Sequence, residues 1–220
     1  MSSLSSPPER PAMFRNLPPA TRTLIIANVA VYLLQLATGT ALIPLFALWP
    51  LGTASAIGPE TGAGFYLWQL VTYGFLHGGF LHLFFNMFAL YMFGGAIEQL
   101  FGARRFVVFW FVCVITAAIT QLVVTGVAGP TPFPTVGASG GVFGLLLAFG
   151  LFYPRQRVML IFPPIPMPAW LFVTLYGALE LYLGVTDSQA GVAHFAHLGG
   201  MLGGYLMIRL WRRQAAPRGG

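Results

Sequence analysis

Ser139 lies in Val136-Gly137-Ala138-Ser139-Gly140-Gly141-Val142-Phe143-Gly144, at the start of an apolar run with glycines on both sides. Glycines let other backbones approach, and the first amides of a helix have no acceptor in a preceding turn. Such amides can hold a developing oxyanion, which acyl transfer at a serine requires. A base is needed as well. His197 heads the segment His197-Leu198-Gly199-Gly200-Met201-Leu202-Gly203-Gly204. Small residues four apart let helices cross closely in lipid, so Gly140 and Gly144 are expected to meet Gly200 and Gly204. A Ser–His hydrogen bond of about 3 Å needs backbones that close. Packing alone could explain the glycines, and capping the serine, but neither explains a histidine one turn above the seam. His82 and Asn86, four residues apart, would share one helical face.

The elements that position these residues belong in a bilayer. Of the 220 residues, 57% are hydrophobic and only 7% charged. A soluble domain carries roughly 25% charged residues, so this chain could not cover a water-facing surface. The net charge of +6 and pI near 10 come from eleven arginines and no lysine, in short clusters between apolar runs. No basic stripe follows a solvated face, which argues against nucleic acid as a partner. The single cysteine, Cys113, excludes an intrachain disulfide and reads as a small packing residue.

A membrane helix needs about 20 apolar residues. Six segments qualify as spans, over 22–40, 81–101, 105–127, 139–154, 168–186 and 192–211, the fourth short enough to begin below the membrane surface. Gly129 to Pro134 and Phe162 to Pro166 punctuate the boundaries. Residues 41–80 are too interrupted for a span and too apolar for a solvated loop, so they read as a partly embedded loop with short helices. Residues 1–21, polar and rich in Ser and Pro, read as a flexible tail; no apolar stretch in them leads to a small-residue cleavage site. The membrane domain then covers 22–211, and 212–220 form a second tail.

With six spans, Arg10, Arg15, Arg22, Arg104, Arg105, Arg155, Arg157, Arg209, Arg212, Arg213 and Arg218 all fall on one side. That side is the cytoplasm by the positive-inside rule, with both termini inside. Short loops and a six-span core fit a bacterial cytoplasmic membrane. Polar groups inside a membrane suggest function, and His77, His82, His194, His197, Asn86 and Ser139 all map to the outer half. His77 reads as structural or hydrogen-bonding, and His194 as facing the outer interface. Glu98 is expected to pair with Arg104 or Arg105, while Glu180, mid-way along span five with no arginine at its depth, has no evident task.

Taken in order, these motifs resemble the rhomboid family of intramembrane serine proteases over roughly residues 65–205. His82-Leu83-Phe84-Phe85-Asn86 is similar to the family's HxxxN. Gly94-Gly95-Ala96-Ile97-Glu98 with Gly102 and Arg104 resembles the segment joining spans two and three. Gly137-Ala138-Ser139-Gly140 looks like the nucleophile motif, and Ala196-His197 with Gly200 and Gly204 like the histidine motif. The resemblance implies an all-α, six-helix polytopic bundle and a Ser139–His197 dyad without a catalytic aspartate. It further implies an oxyanion hole from the Ser139 amide, His82 and Asn86, with Gly137, Gly140, Phe143, Gly200 and Gly204 packing the site. It implies no cofactor and no metal, and substrates that are transmembrane proteins within the lipid bilayer.

Two positions depart from the family pattern. Gln69 follows Trp68 where an arginine is usual, which puts the first-loop geometry in question. Phe143 stands where a tyrosine often stacks on the catalytic histidine, and a phenyl ring can still stack. No acidic residue lies near the outer ends of spans two, four or six; Asp187, in the loop before span six, is the nearest. Two other readings compete. A metal-binding protein could use the four histidines, though no carboxylate or thiolate is expected to accompany them and Ser139 would be unexplained. An inactive relative that escorts membrane clients would usually lack the serine or the histidine, and both are present.

Overall fold

A computed structural model describes residues 17–53, 62–128, 133–159, 164–186 and 193–215. Most of both expected tails, part of the first outer loop and Asp187 lie outside the described residues.

Helix α1 (Pro19–Thr38) begins three residues before the expected span, with Pro19 in its first turn and Gly39 ending it at φ 61°. Proline suits the first turn because its missing N–H would have no partner there. The cap comes from a distant element. Glu98 accepts hydrogen bonds from the Ala20 amide (2.9 Å), the Thr21 amide (2.6 Å) and the Thr21 hydroxyl (2.7 Å). The expected pairing of Glu98 with Arg104 or Arg105 is therefore replaced by a helix-terminal one. A buried carboxylate is better satisfied by free amides at the positive end of a helix, and Arg105 instead lies over the Trp211 ring, 5.7 Å from its centroid.

The first outer loop contains the short helices α2 (Ile43–Phe46) and α3 (Gln69–Thr72), the latter continued by a 3₁₀ turn, Tyr73–Phe75. Gln69 is fully buried. Its side-chain oxygen accepts the Trp49 amide at 3.2 Å, and its nitrogen donates to Gly64 O at 2.9 Å and Leu45 O at 3.2 Å. A neutral amide thus ties three strands of loop together where the family uses a cation. Leu48 and Thr135 exchange backbone hydrogen bonds of 3.0 and 2.9 Å, joining this loop to the approach of Ser139. From α1, Gln35 clasps His77 by accepting its amide (2.9 Å) and donating to its carbonyl (3.2 Å).

Next come α4 (Phe80–Ala89), a π-helical turn (Leu90–Gly94) and α5 (Gly95–Phe101), which together make one interrupted apolar stretch. Helix α6 (Ala103–Ala128) is the longest, α7 (Ser139–Phe152) is short and largely buried, and α8 (Ala169–Thr186) and α9 (His194–Ala215) follow. Between α7 and α8 an antiparallel ribbon pairs β1 (Arg157–Met159) with β2 (Pro166–Pro168). This ribbon is a small addition to the expected all-α fold; the prolines there suggest only a boundary to a reader of the sequence. Helix α9 runs past the expected end at 211, its last turn carrying Arg212 and Arg213, which suit the negative end of a helix.

Helices α6, α7 and α9 enclose the core, with Phe109, Trp110, Cys113, Val114, Leu145 and Phe149 among its buried residues. Cys113 is an interior packing residue, as expected. The outside is inverted relative to a water-soluble protein. Asn28, Gln35, Gln69, Asn86, Glu98 and Glu180 are buried, whereas Ile26, Leu36, Phe80, Phe84, Leu181 and Val185 are exposed. Such a surface fits hydrocarbon, not water. Four stretches are long and apolar enough to cross a membrane among the described residues: Pro19–Thr38, Phe80–Phe101, Ala103–Val127 and Ala169–Thr186.

Candidate active site

Ser139 is the first residue of α7, and the N-cap is Ala138, whose side chain cannot bond the first turn. The first hydrogen bond into the helix runs from Val142 N to Ala138 O at 3.1 Å. The Ser139, Gly140 and Gly141 amides precede it and have no acceptor one turn back. The Ser139 hydroxyl is not spent on capping. It lies 2.9 Å from His197 Nε2.

The close approach of α7 and α9 makes that distance possible. A Cβ on Gly200 would overlap the Gly140 carbonyl, and one on Gly204 would stand 3.4 Å from the Gly144 Cα. From the other side, a Cβ on Gly140 would meet Ala117 Cβ at 2.5 Å, and one on Gly144 would overlap Cys113 Sγ. The four glycines named from sequence therefore form one seam.

Gly137 faces two constraints at once. Its φ is +125°, and a Cβ there would sit 2.7 Å from His82 Nε2 and 3.7 Å from Asn86 Nδ2. Positive φ at a close contact demands glycine. The Gly137 amide donates to Tyr73 O at 3.0 Å, which fixes the turn to the first loop. His82 and Asn86 consequently border the turn that presents Ser139. The Gly78 amide reaches His82 Nδ1 at 3.4 Å. With Nδ1 accepting, the ring proton is on Nε2, facing Gly137. Asn86 Nδ2 donates to His82 O at 3.1 Å, one turn back along α4.

The His197 ring stacks on Phe143, with centroids 4.2 Å apart and planes 5° from parallel. Phe143 stacks in turn on Tyr176 of α8, at 5.3 Å and 12°. A phenyl ring thus makes the stack that the family usually makes with tyrosine.

Glu180, given no task from sequence, lies at the site. Its Oε2 lies 2.8 Å from His197 Nδ1 and 2.7 Å from His194 Nδ1. His194 is buried against it, not turned to the outer interface as expected. A signal was present: Glu180 is an acid within an apolar helix, six residues before that helix ends, close to the depth of the first turn of α9. Contrary to expectation, a carboxylate does accompany two of the histidines. Ligand atoms of Glu180, His194 and His197 all lie within 4.8 Å of one another. Yet two N···O separations of 2.7 and 2.8 Å are hydrogen-bond lengths. Around a tetrahedral zinc with bonds near 2.0–2.1 Å, ligand atoms stand about 3.3 Å apart. The arrangement fits protons on Nδ1.

His77 is buried beside the site, its ring 5.2 Å from that of His82. Burial, reinforced by the neighbouring His82, pushes its pKa down to about 4, so it is neutral at physiological pH. Its hydrogen bonds with Gln35 and the Phe75 carbonyl agree with the structural role expected for it.

A fold of apolar helices with polar groups gathered around one serine defines an integral membrane protein with a polar site among its helices. The family model described as "Rhomboid domain" matches residues 64–214, and the chain belongs to the rhomboid family. It is 30% identical over 138 residues to the rhomboid protease GluP of Bacillus subtilis, covering 63% of this chain and 25% of that protein. It is 32% identical over 140 residues to the putative rhomboid protease YdcA of the same organism, covering 64% and 65%. The rhomboid protease GlpG of Yersinia pestis is 25% identical over 200 residues, covering 91% of this chain and 65% of that protein. Each match thus spans less than two-thirds of the relative's own length.

Proposed function

We propose that this protein is an intramembrane serine endopeptidase that hydrolyses peptide bonds in or near transmembrane segments of other proteins. The observation that carries the reading is the 2.9 Å contact between His197 Nε2 and the Ser139 hydroxyl, at a helix start whose amides are free. The names of the relatives, rhomboid proteases, support the same activity.

His197 Nε2 takes the hydroxyl proton as Ser139 Oγ bonds to the scissile carbonyl carbon. The carbonyl oxygen becomes an oxyanion, received by the Ser139 amide, His82 Nε2–H and Asn86 Nδ2–H. His197 then returns the proton to the leaving amine as the C–N bond breaks. Water, deprotonated by the same nitrogen, attacks the acyl-enzyme, and Ser139 regains its proton. Fixed donors at the developing charge are worth about 10²–10³ in rate per donor in a water-excluded site. Gly137, Gly140, Gly200 and Gly204 hold the partners at contact distance, and Phe143 holds the His197 ring. No cofactor has a part in this scheme.

The substrate must offer an unwound stretch, because helical amides are bonded internally and shielded. Helix-breaking residues near the outer end of its membrane segment should therefore favour cleavage. In this reading the four long apolar stretches, the short α7 and the arginine-ended α9 make six spans. At 1.5 Å per residue, α7 covers about 21 Å, less than the roughly 30 Å hydrocarbon core, so Ser139 lies below the outer surface. The first loop is partly embedded, the arginine distribution favours cytoplasmic termini, and short loops with a six-span core fit a bacterial cytoplasmic membrane.

Cleavage of a transmembrane reporter in liposomes tests the reading. Product should form with the wild type and vanish in both Ser139→Ala and His197→Ala. A folded wild type that cleaves no helix-destabilised reporter, or equal cleavage by Ser139→Ala, would refute it.

A further inference from the structure

The carboxylate behind His197 goes beyond a two-residue site. We propose that Glu180 is a positioning residue for His197, completing a Ser139–His197–Glu180 line in which the acid is delivered by a membrane helix and His194 is its second anchor. This inference rests on the protease reading above.

One oxygen, Glu180 Oε2, meets two ring nitrogens, His194 Nδ1 at 2.7 Å and His197 Nδ1 at 2.8 Å. A protonated Oε2 could donate to only one of them. An acceptor oxygen satisfies both at once if each histidine carries its proton on Nδ1. Both distances suit N–H···O bonds to a carboxylate. The tautomer of His197 follows: with Nδ1 donating to Glu180, Nε2 presents its lone pair to the Ser139 hydroxyl, as a general base must. The opposite tautomer would point an N–H at the hydroxyl and could not accept its proton.

Glu180 also answers the charge created by catalysis. When His197 takes the Ser139 proton it becomes a cation in a mostly buried place. The carboxylate hydrogen-bonded to its far nitrogen balances that cation without moving. This is how an acid orients and stabilises an imidazole in soluble serine proteases. His194 explains how a charge persists there. Glu180 is buried within an apolar helix, where a carboxylate with one partner would be costly. A second N–H on the same oxygen shares that cost and holds the carboxylate in place. Tyr176, one turn before Glu180 on α8, supports the stack on which the His197 ring rests. Helix α8 therefore braces the base from its ring face and from its nitrogen.

The test compares reporter cleavage and unfolding temperature for wild type, Ser139→Ala, Glu180→Gln, Glu180→Asp, Glu180→Met and His194→Phe. The amide of Glu180→Gln can donate to one ring and so admits the wrong tautomer at His197. A tautomer error in a soluble triad lowers kcat about 10⁴-fold. Here kcat should fall about 10²- to 10⁴-fold, with KM and unfolding temperature little changed. Glu180→Asp keeps a carboxylate and should recover part of the rate. His194→Phe should lose less than Glu180→Gln.

A folded Glu180→Gln enzyme with wild-type kcat overturns the proposal and leaves the protease reading standing. A wild type without Ser139-dependent activity fails that reading itself. If Glu180→Gln does not fold, Glu180→Met decides: wild-type kcat in the folded variant overturns the proposal, and reduced kcat at unchanged KM supports it. Loss of wild-type activity on chelation, restored by zinc alone, also overturns it, because a bound metal would displace the Nδ1 protons.

Discussion

At the scale of single residues the site depends on small distances held by larger neighbours. His197 touches Ser139 through one nitrogen and Glu180 through the other, while Phe143 lies flat against its ring. A stacked aromatic pair is worth about 0.5–1.5 kcal/mol beyond its buried area. If that term holds His197 in its working orientation, Phe143→Ala should lower kcat about 3- to 10-fold, and Phe143→Tyr should restore most of the loss. Steady-state cleavage of a reporter measures this; wild-type kcat in Phe143→Ala would remove the stack from the account.

Residues also differ in how far the sequence reveals them. Ser139 and His197 are legible because each stands beside glycines that a helix start or a close crossing requires. Glu180 is not. Its partners lie 14 and 17 residues onward across a loop, and spacing does not give the relative rotation of two helices. Glu98 misleads in the opposite sense. Arginines six and seven residues away invite a local pair, yet its carboxylate reaches 77 and 78 residues back to cap α1. Both cases concern buried carboxylates, whose partners are chosen by three-dimensional proximity and hydrogen-bonding capacity.

At the scale of elements, the decisive contact is the α7–α9 seam. A Cβ on Gly200 would overlap backbone, the Gly140 carbonyl, which cannot swing aside as a side chain would. Overpacking a tight core commonly costs about 1–3 kcal/mol. Gly200→Ala should therefore lower the unfolding temperature in detergent and reduce cleavage more than stability alone explains, because the seam sets the Ser139–His197 distance. Gly126→Ala is the control, since its Cβ would meet nothing within 4 Å. It should leave both quantities close to wild type. Equal effects of the two substitutions would contradict the seam.

Element boundaries were readable wherever proline or glycine punctuates the chain, so the starts of α7 and α8 fall at or within one residue of expectation. The π-helical turn at Leu90–Gly94 and the ribbon pairing Arg157–Met159 with Pro166–Pro168 were not readable. A Cβ on Gly94 would press on Leu90 and Thr21, so the turn is shaped partly by α1, an element far away in sequence. Gln69 teaches a related lesson. Its replacement of a cation left the loop geometry open, and three hydrogen bonds to loop backbone supply an answer that residue type alone could not.

At the scale of the whole molecule, the arrangement would reconcile the proposed hydrolysis with a hydrocarbon solvent. The surface exposes leucine, phenylalanine and valine, while Asn86, Glu180 and His194 are buried and Ser139 and His197 half-buried. Polar groups there cost less when they bond to one another, and hydrogen bonds link Ser139, His197, Glu180 and His194 in one chain. Composition made the bilayer legible from the start, and eleven arginines gave a consistent sidedness. Neither could show that α8 supplies an acid to the base.

The central claim is that Ser139 is a nucleophile activated by His197, and fluorophosphonate labelling of the reconstituted full chain, with the adduct mapped by mass spectrometry, tests it most directly. The account predicts a single covalent adduct on Ser139 in the wild type, absent from Ser139→Ala and strongly reduced in His197→Ala. No adduct on a folded wild type, or labelling that persists undiminished in His197→Ala, would contradict it.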